Sequence, residues 1–401
     1  MCYIAKYRAL ASTALLLASL LYSNAALALH HEGPHTLTGL QTTLSEEGRH
    51  NAVLNEMQLG VASMQAGQLD EAKRLLDAAL DQIESIYAHN REAEKARSLW
   101  HSEAVKDFKG EPYERAMAYY YRSILYMMDG DYENARASAK AGQLQDAFAE
   151  EDQNKCDFAV LMFLEGWASQ QLGNMSMAKE AYDELHRIRP DFKLPGPHDH
   201  ILILGDLGKS PRKLATGVGH YELVYRRGKH FDERRMVLGL GGKELEAYPM
   251  EDVFWQAASR GGRPVDRIIK GKAKFASGTS ELGQGASALS SAASIAASGG
   301  DLMGGAADSL GGAGAAFGVI GGISSLLSNS ADARADTRYW HNLPDSIDVL
   351  TLSSLPSDGV NVGYVDADSQ PVSGLNQHVN IVFDKKKRGI GWIKSRPALI
   401  Y

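Results

Sequence analysis

The spacing of apolar residues between about Ser45 and Pro190 constrains the fold more than any other feature of this 401-residue sequence. Apolar side chains recur every three or four positions among many Ala, Glu, Lys and Gln residues, and Pro112 is the one proline inside the stretch. This period is that of amphipathic helices, and good helix formers fill the remaining positions. The sequence therefore predicts a helical domain over residues 45–195.

A different pattern follows residue 195, where short runs rich in Val, Ile and Tyr alternate with Gly, Pro and Asp. Apolar runs bounded by turn residues are typical of β-strands. The predicted strands are Ile201–Leu204, Tyr221–Tyr225, Val360–Val365 and Val379–Phe383. The predicted fold class is therefore α+β, with helices first and then one β-rich domain built from residues 196–274 and 336–401.

Small residues recur at similar offsets from three glycines of the helical domain, Gly67, Gly130 and Gly173. The residues that carry this spacing include Gly60, Ala72 and Ala79, then Tyr126, Ala135 and Gly142, then Gly166, Ala178 and Leu185. In TPR-like helical pairs, a glycine permits the tight turn and an alanine lets the two helices approach closely. The spacing predicts TPR-like repeats, although the glycines lie farther apart than the repeat length of about 34 residues. An irregular helical bundle is the alternative.

The densest group of aromatic residues in the sequence lies at the middle of these repeats. Repeat scaffolds bind other proteins through an extended face, and Tyr and Arg are frequent anchors of such surfaces. We predict that Tyr119, Arg122, Tyr126 and Tyr132 bind a protein partner. The alternative is that most of these rings pack in the core or between repeats.

The N-terminus has the pattern of a secretory signal peptide. Lys6 and Arg8 precede the uncharged run Ala9–Leu21, and small residues end at Ala28. The apolar run is shorter than the roughly 20 residues that span a bilayer. Residues 1–28 are therefore predicted to be removed on export, which places the mature protein in the periplasm or at the outer membrane.

The mature chain is predicted to begin with a flexible N-terminus over residues 29–44. Cys2 lies before the apolar run, so it is not placed as a lipoprotein acylation site. Removal of the signal leaves Cys156 as the single cysteine, and no internal disulfide is expected.

A Gly-, Ala- and Ser-rich insertion is predicted over residues 275–335. Gly314, Gly318 and Gly322 would form one flat stripe on a helix, a glycine zipper on which a second helix could pack. The stretch Ser309–Leu327 carries no charge and is about as long as a bilayer-spanning helix. The insertion is expected to self-associate or to contact membrane. A hairpin folded onto its own domain and a flexible linker are the alternatives.

The formal net charge is −7, and no long block of like charge occurs, so the sequence argues against a nucleic-acid-binding protein. The one strongly basic stretch contains Arg260, Arg263 and Arg267. Guanidinium groups beside exposed backbone N–H groups suit a phosphate or carboxylate. We predict that these arginines form a loop that binds an anion or pairs with carboxylates of the same domain.

Metal-binding and catalytic patterns are weak. His198, Asp199 and His200 lie too close together, without a third distant ligand, to predict a metal site. A mature terminus at Leu29 would place two histidines beside a free amine, but such a terminus is expected to be disordered. The sequence has no nucleophile-elbow, zincin or P-loop motif. We expect no cofactor, no metal and no enzymatic activity.

Four segments together resemble a family of poorly characterised bacterial envelope proteins. The segments are Phe108–Arg115, Gly130–Arg136, Trp255–Asp266 and Arg338–Pro344. Members of this family combine a TPR-like half with a β-rich half and are often encoded beside relatives of the CsgG secretion channel or of the LpoB activator. Many relatives are lipoproteins, whereas this sequence lacks the acylated cysteine. The resemblance implies an envelope location and CsgG-like or LpoB-like partners.

These features predict a non-enzymatic envelope adaptor or assembly component that binds protein partners and forms homo-oligomers. The resemblance points to a CsgG-like secretion or surface-fibre system. A regulator of peptidoglycan synthases or hydrolases is one alternative, and a hydrolase hidden in the β-rich domain is another.

Overall fold

The computed structural model describes residues 36–88, 107–147, 157–216, 222–240, 243–259, 336–355 and 360–397. The described part has helices first and β-sheets afterwards, so the predicted α+β class is confirmed. The helices of the first half are α1 (Leu37–Glu47), α2 (Ala52–Gln65), α3 (Leu69–Ala88), α4 (Pro112–Met128), α5 (Tyr132–Ala147), α6 (Ala159–Gln171) and α7 (Met175–Ile188).

Three helical hairpins, α2–α3, α4–α5 and α6–α7, share the same turn. Gly67, Gly130 and Gly173 occupy the turns with φ of 75°, 77° and 82°, a region that favours glycine. In each turn the glycine N–H and the next N–H both donate to carbonyls at the end of the preceding helix. These paired bonds satisfy helix-end carbonyls in the manner of a Schellman motif. The predicted glycines therefore mark helix-to-helix turns.

The two helices of each hairpin approach closely at small residues. A Cβ atom on Gly166 would lie 2.4 Å from the ring of Tyr182, and one on Gly60 would lie 3.0 Å from Leu76. Helices α2, α4 and α6 are buried along almost their whole length, whereas α3, α5 and α7 expose one face. The second helix of each hairpin therefore forms the outer layer.

A flexible N-terminus was predicted over residues 29–44, and helix α1 corrects this prediction from Leu37 onward, while residues 29–35 lie outside the described part of the chain. Thr36 caps the helix by accepting a hydrogen bond from the N–H of Gly39 at 3.0 Å. Leu37, Leu40 and Leu44 lie on one face and pack against the α2–α3 hairpin. The sequence did contain this spacing of leucines, which is typical of one helical face. The pattern was missed because it is short and comes before the long helical stretch.

The strands of the second half form a five-stranded sheet, a four-stranded sheet and a two-stranded ribbon. The strands are β1 (Ile201–Leu207), β2 (Arg212–Thr216), β3 (Glu222–Arg226), β4 (Arg235–Leu240), β5 (Lys243–Glu246), β6 (Tyr248–Asp252), β7 (Ser346–Leu352), β8 (Val360–Val365), β9 (Gln377–Val379), β10 (Ile381–Phe383) and β11 (Gly389–Lys394), with the helix α8 (Val253–Ser259) after β6. The strands predicted at Ile201–Leu204, Tyr221–Tyr225 and Val360–Val365 correspond to β1, β3 and β8. The strand predicted at Val379–Phe383 is instead divided between β9 and β10, which belong to different sheets. Strands β2, β4–β7 and β11 were not individually predicted.

The five-stranded sheet has the order β10-β11-β1-β7-β6 and joins strands from both sides of residues 260–335. Central strand β1 pairs with β11 in parallel and with β7 in antiparallel orientation. Strands β4 and β8 likewise pair within the four-stranded sheet. The β-rich half is therefore built from two separate parts of the chain.

Alternate residues of β1 face two different cores because side chains alternate along a strand. Leu202 and Leu204 pack with the helices, whereas Ile201 and Ile203 pack with the four-stranded sheet. The five-stranded sheet is thus the middle of three layers. In the described part of the chain, no α-helix combines the length and apolar character that crossing a bilayer requires.

Candidate functional site

The junction between helix α4 and the sheet gathers charged side chains that are almost completely buried. It begins at the N-terminus of α4, where Pro112 occupies the first turn. Glu111 accepts a hydrogen bond from the backbone of Glu114, and Glu114 accepts one from the N–H of Glu111 at 2.7 Å. This capping box satisfies backbone donors that a helix leaves free at its first turn.

The same two glutamates bind the β-rich half. Lys213 of β2 forms an ion pair with Glu111, and both side chains are at most 4% exposed. The N–H of Trp340 donates to Glu114 at 2.7 Å. Burial raises the pKa of Glu114 to about 7, and nearby Lys213 acts against this rise. The start of α4 is therefore fixed to the ribbon and to the segment before β7.

A second buried group lies farther along α4. Tyr120 and Tyr121 donate their hydroxyl hydrogens to Asp206 of β1 at 3.0 and 2.7 Å. Lys394 of β11 lies beside the same carboxylate, with its Nζ atom 3.7 Å from Oδ2. Burial raises the pKa of Asp206, while Lys394 and the two hydroxyls oppose the rise. Burial also lowers the pKa of Lys394. This cluster joins one helix to two neighbouring strands.

A third contact holds helix α6. Glu251 of β6 accepts a hydrogen bond from the N–H of Val160 at 3.2 Å and one from the side chain of Gln256 at 3.0 Å. Burial raises the pKa of Glu251 to about 7. The carboxylates of these three contacts are directed at partners within the chain. These buried contacts therefore position the helices on the β-rich half.

The predicted partner-binding residues connect neighbouring hairpins. Tyr119 donates its hydroxyl hydrogen to Glu84 of α3 at 2.7 Å. Arg122 donates two hydrogen bonds to Asp77 of α3, at 2.5 and 3.1 Å, and lies 3.6 Å above the ring of Tyr126.

Most of this predicted set is buried. Tyr119 is 5%, Arg122 is 7% and Tyr132 is 1% exposed, and the guanidinium of Arg388 lies 3.8 Å above the Tyr132 ring. Tyr126 is half-buried. Packing between repeats, the alternative weighed from the sequence, describes these contacts. Partner binding by the set stays a prediction, with Tyr126 as its most accessible member.

Several predicted residues lie outside the described part of the chain. They are Arg260, Arg263 and Arg267 of the basic loop, Gly314, Gly318 and Gly322 of the glycine zipper, and Cys156. These predictions therefore stay predictions.

The histidine pair lies in the loop that leads into β1. Nδ1 of His200 lies 2.9 Å from the carbonyl oxygen of His198. Asp199 between them accepts a hydrogen bond from the N–H of Gly196 at 2.8 Å. Its carboxylate thus closes a turn of the loop. Within the described residues, no group of three or more His, Cys, Asp or Glu side chains is arranged to hold a metal ion.

The junction residues on the β side were not predicted. Asp206 stands in a strand whose other members are apolar or glycine, and Lys394 ends a similar strand. A charge inside an apolar strand was the available signal, because such a charge needs a buried partner. Its partner could not be named, since the pairing joins residues far apart in the chain.

Two segments that carry the family resemblance meet at this junction. Arg338 and Trp340, of one segment, contact Phe108 and Glu114, of another. Comparisons with protein-family models, with curated proteins and with solved structures find no match to this chain.

Proposed function

We propose that this protein is a non-enzymatic adaptor or assembly component of the bacterial cell envelope. It binds protein partners through TPR-like hairpins and self-associates or contacts membrane through the glycine zipper of residues 275–335. The signal-peptide pattern of residues 1–28 supports export. The family resemblance makes a CsgG-like or LpoB-like protein the first partner to test.

The observation that carries this proposal is the repetition of one hairpin design. Each of the three hairpins has a left-handed glycine at its turn and an alanine five residues later, Ala72, Ala135 or Ala178. All three alanines are at most 1% exposed. Successive hairpins contact each other through α3 with α4 and α5 with α6. Stacked helical pairs of this type serve mainly as binding scaffolds.

The partner surface is the outer face of the hairpins. The inner helices α2, α4 and α6 are buried against their own hairpins, and α4 and α6 also contact the five-stranded sheet. The outer helices α3, α5 and α7 keep one exposed face, which includes Asp81, Ala137 and Glu180. A partner therefore binds across α3, α5 and α7, and the exposed part of Tyr126 contributes to the same surface.

Site-directed photo-crosslinking in intact cells tests this assignment. A photoreactive residue at Asp81, Ala137 or Glu180 should yield adducts with an envelope protein. The matched controls are Lys243 and Asn361, which are exposed on the four-stranded sheet. Adducts at the controls alone, or none at the three outer positions, would reject the outer face as the partner surface.

The proposed role of the zipper has its own test. Gly318→Leu and Gly322→Leu should reduce oligomer size or membrane fractionation because large side chains prevent close helix approach. Ala316→Leu and Ser324→Leu, on other faces of the same predicted helix, control for added bulk and apolarity. If the glycine variants leave both measurements unchanged, the zipper does not act in this way.

A further inference from the structure

Three consecutive lysines project from the turn between β10 and β11. Lys385, Lys386 and Lys387 are all exposed, and none of them has an ion pair with a described residue. We call Asp384–Arg388 the lysine turn.

Asp384 and the backbone fix the conformation of the lysine turn. The carboxylate of Asp384 accepts hydrogen bonds from the N–H groups of Lys386 and Arg388 at 2.8 and 2.9 Å. Its carbonyl oxygen accepts one from the N–H of Lys387 at 3.0 Å. Lys387 has a φ of 62°. Because the backbone is ordered, little of its entropy is lost when the lysines meet a ligand.

Arg388 anchors the turn to the ends of two helical hairpins. Its guanidinium forms an ion pair with Asp384 at 2.5 Å and stacks on Tyr132. It also donates hydrogen bonds to the carbonyl oxygens of Gln171 and Gly130 at 3.0 and 3.3 Å. The lysines therefore project from a fixed position beside the turns of α4–α5 and α6–α7.

Exposed apolar side chains flank this position on both sides of the five-stranded sheet. Phe383, directly before the turn, is 52% exposed, and its ring lies beside Gly389 on the side of the four-stranded sheet. Leu172, directly after Gln171, is 37% exposed on the helical side. Met175 and Met177 at the start of α7 are 57% and 36% exposed. Arg136, one helical turn after Tyr132, reaches the sulfur of Met177 at 3.0 Å. Half of the large apolar side chains that the described residues expose thus lie at this end of the molecule.

Nearby acidic groups are largely occupied by other partners. Asp129 pairs with Lys73 at 2.8 Å. Asp131 accepts hydrogen bonds from the backbone and side chain of Asn134. Glu133 is exposed and Asp131 keeps its charge because Asn134 is neutral, so these two carboxylates are the main opposing charges. The lysine turn is therefore a cationic projection with apolar neighbours.

Cationic and apolar groups at one end of the molecule match the interface of an anionic bilayer. Lysines are attracted to lipid phosphates over about a Debye length, roughly 8 Å at physiological ionic strength. Exposed Phe, Leu and Met side chains enter the boundary between headgroups and acyl chains. The strength of such a contact increases with the apolar area buried and with the attraction to anionic lipids, so the two kinds of group reinforce each other.

We propose that the lysine turn, with Phe383, Leu172, Met175 and Met177, docks the protein on an anionic membrane surface. This contact lies outside residues 275–335, so it is independent of the glycine zipper. It gives the adaptor a defined orientation, with the ends of its hairpins toward the lipid.

Vesicle flotation of the full chain tests the proposal. Vesicles that mix phosphatidylglycerol with phosphatidylcholine should bind the protein, and vesicles of phosphatidylcholine alone should bind it weakly. The triple variant Lys385→Glu, Lys386→Glu and Lys387→Glu should lower partitioning onto the anionic vesicles by about 100-fold, since each lysine contributes about a factor of five. Phe383→Ser should lower it by about tenfold.

The matched control changes the net charge by the same amount, but at lysines in other places. Lys209, Lys229 and Lys243 are exposed at other places in the β-rich half, and their triple change to Glu should lower partitioning only a few-fold. Far-ultraviolet circular dichroism checks that each variant is folded. If the triple variant does not fold, the single variant Phe383→Ser still tests the proposal.

Three results would overturn the assignment. They are no binding to anionic vesicles, equal losses in the two triple variants, or retention of a soluble polyanion such as heparin without vesicle binding. Gly318→Leu measured in parallel separates this site from the zipper, because zipper-mediated attachment does not depend on lysines 385–387.

Discussion

The two faces of the five-stranded sheet are both buried, but they are held by different interactions. The face toward the four-stranded sheet is mainly apolar, with Ile203 and Leu207 packing in one core with Met236 of that sheet, and Asp348 accepts a hydrogen bond from the N–H of Met236. The face toward the helices combines apolar packing with the Asp206–Lys394 pair and its tyrosine hydrogen bonds.

This difference explains how each neighbouring layer is positioned. Apolar contacts are non-directional, so they favour burial without specifying one register. A buried charge must meet its particular partners, because leaving it unpaired is costly. The helical layer therefore has several fixed contacts with the β-rich half, at Asp206, Glu114 and Glu251. The second sheet combines its apolar contacts with the hydrogen bond between Asp348 and the N–H of Met236.

The largest expected effect comes from removing Asp206. Asp206→Ala leaves Lys394 without its counter-charge and two tyrosine hydroxyls without their acceptor, so the free energy of unfolding should fall by about 3–5 kcal/mol. Ile203→Val, on the opposite face of the same strand, should cost only about 0.5–1.5 kcal/mol. Denaturant unfolding followed by circular dichroism measures both. The comparison fails if the Asp206 variant is the more stable of the two.

A double variant separates two contributions to this loss of stability, the lost hydrogen bonds and the unpaired buried charge. Adding Lys394→Met to Asp206→Ala removes the buried charge, so it should recover about 1–3 kcal/mol of the loss. Further destabilisation in the double variant would mean that Lys394 has another role.

The next effect concerns close approach within the helical layer. A Cβ on Gly142 would lie 2.9 Å from both Leu161 and the Cβ of Tyr119, so α5 cannot accept it without moving. Gly142→Ala should cost about 1–3 kcal/mol even though alanine favours helices by about 1 kcal/mol. Thermal unfolding measures the change.

Gly239→Ala is the matched control. A Cβ on Gly239 meets no described atom within 4 Å, and that glycine does not have a positive φ. Its replacement should change stability by less than about 0.5 kcal/mol. Equal losses at the two glycines would remove close helix approach as the cause.

These cases show which parts of the structure the sequence could predict. The turns at Gly67, Gly130 and Gly173 were predictable because a left-handed residue and a close helix contact each restrict the local residue type. The partners Asp206 and Lys394 were not, because pairing between strands depends on topology. Strands β2 and β5 were not predicted because they are only five and four residues long and carry no apolar run.

The pH dependence of stability offers a smaller and more specific test. Glu114 has a pKa of about 7 in the folded protein, above its ordinary value of 4.5, because it is buried. The folded state therefore binds its proton more tightly, and the resulting stability is complete below about pH 4.5 and lost as pH rises through about 7. Glu114→Gln should reduce the slope of unfolding free energy between about pH 5 and pH 7 by at most about 1.4 kcal/mol per pH unit.

Glu233 provides the opposite control. Its pKa is lowered because hydrogen bonds from Arg396 and Ser395 outweigh the effect of burial. Its contribution is present above its ordinary pKa and is lost only as pH falls below that value. Glu233→Gln should therefore leave the slope between about pH 5 and pH 7 unchanged. A similar slope change in both variants would exclude Glu114 as the cause.

The smallest expected effect lies between the first two hairpins, away from the sheet. Arg122 is 9% exposed at its side chain, but its partner Asp77 is 47% exposed, so solvent weakens the ion pair. Arg122→Met keeps much of the stacking on Tyr126 and should cost about 0.5–1 kcal/mol in urea unfolding. Asp70→Asn, which alters an exposed pair with Lys73, should cost less.

The same variant distinguishes packing from partner binding at Arg122. If Arg122 only joins the hairpins, photo-crosslinking from Ala137 should persist in Arg122→Met at the temperature where the protein remains folded. If Arg122 also anchors a partner, the adduct should fall by about tenfold or more while the free energy of unfolding changes little, since anchoring arginines cost at least about 1.4 kcal/mol when removed. A stability loss as large as that of Asp206→Ala would instead place Arg122 among the fixed anchors of the helical layer.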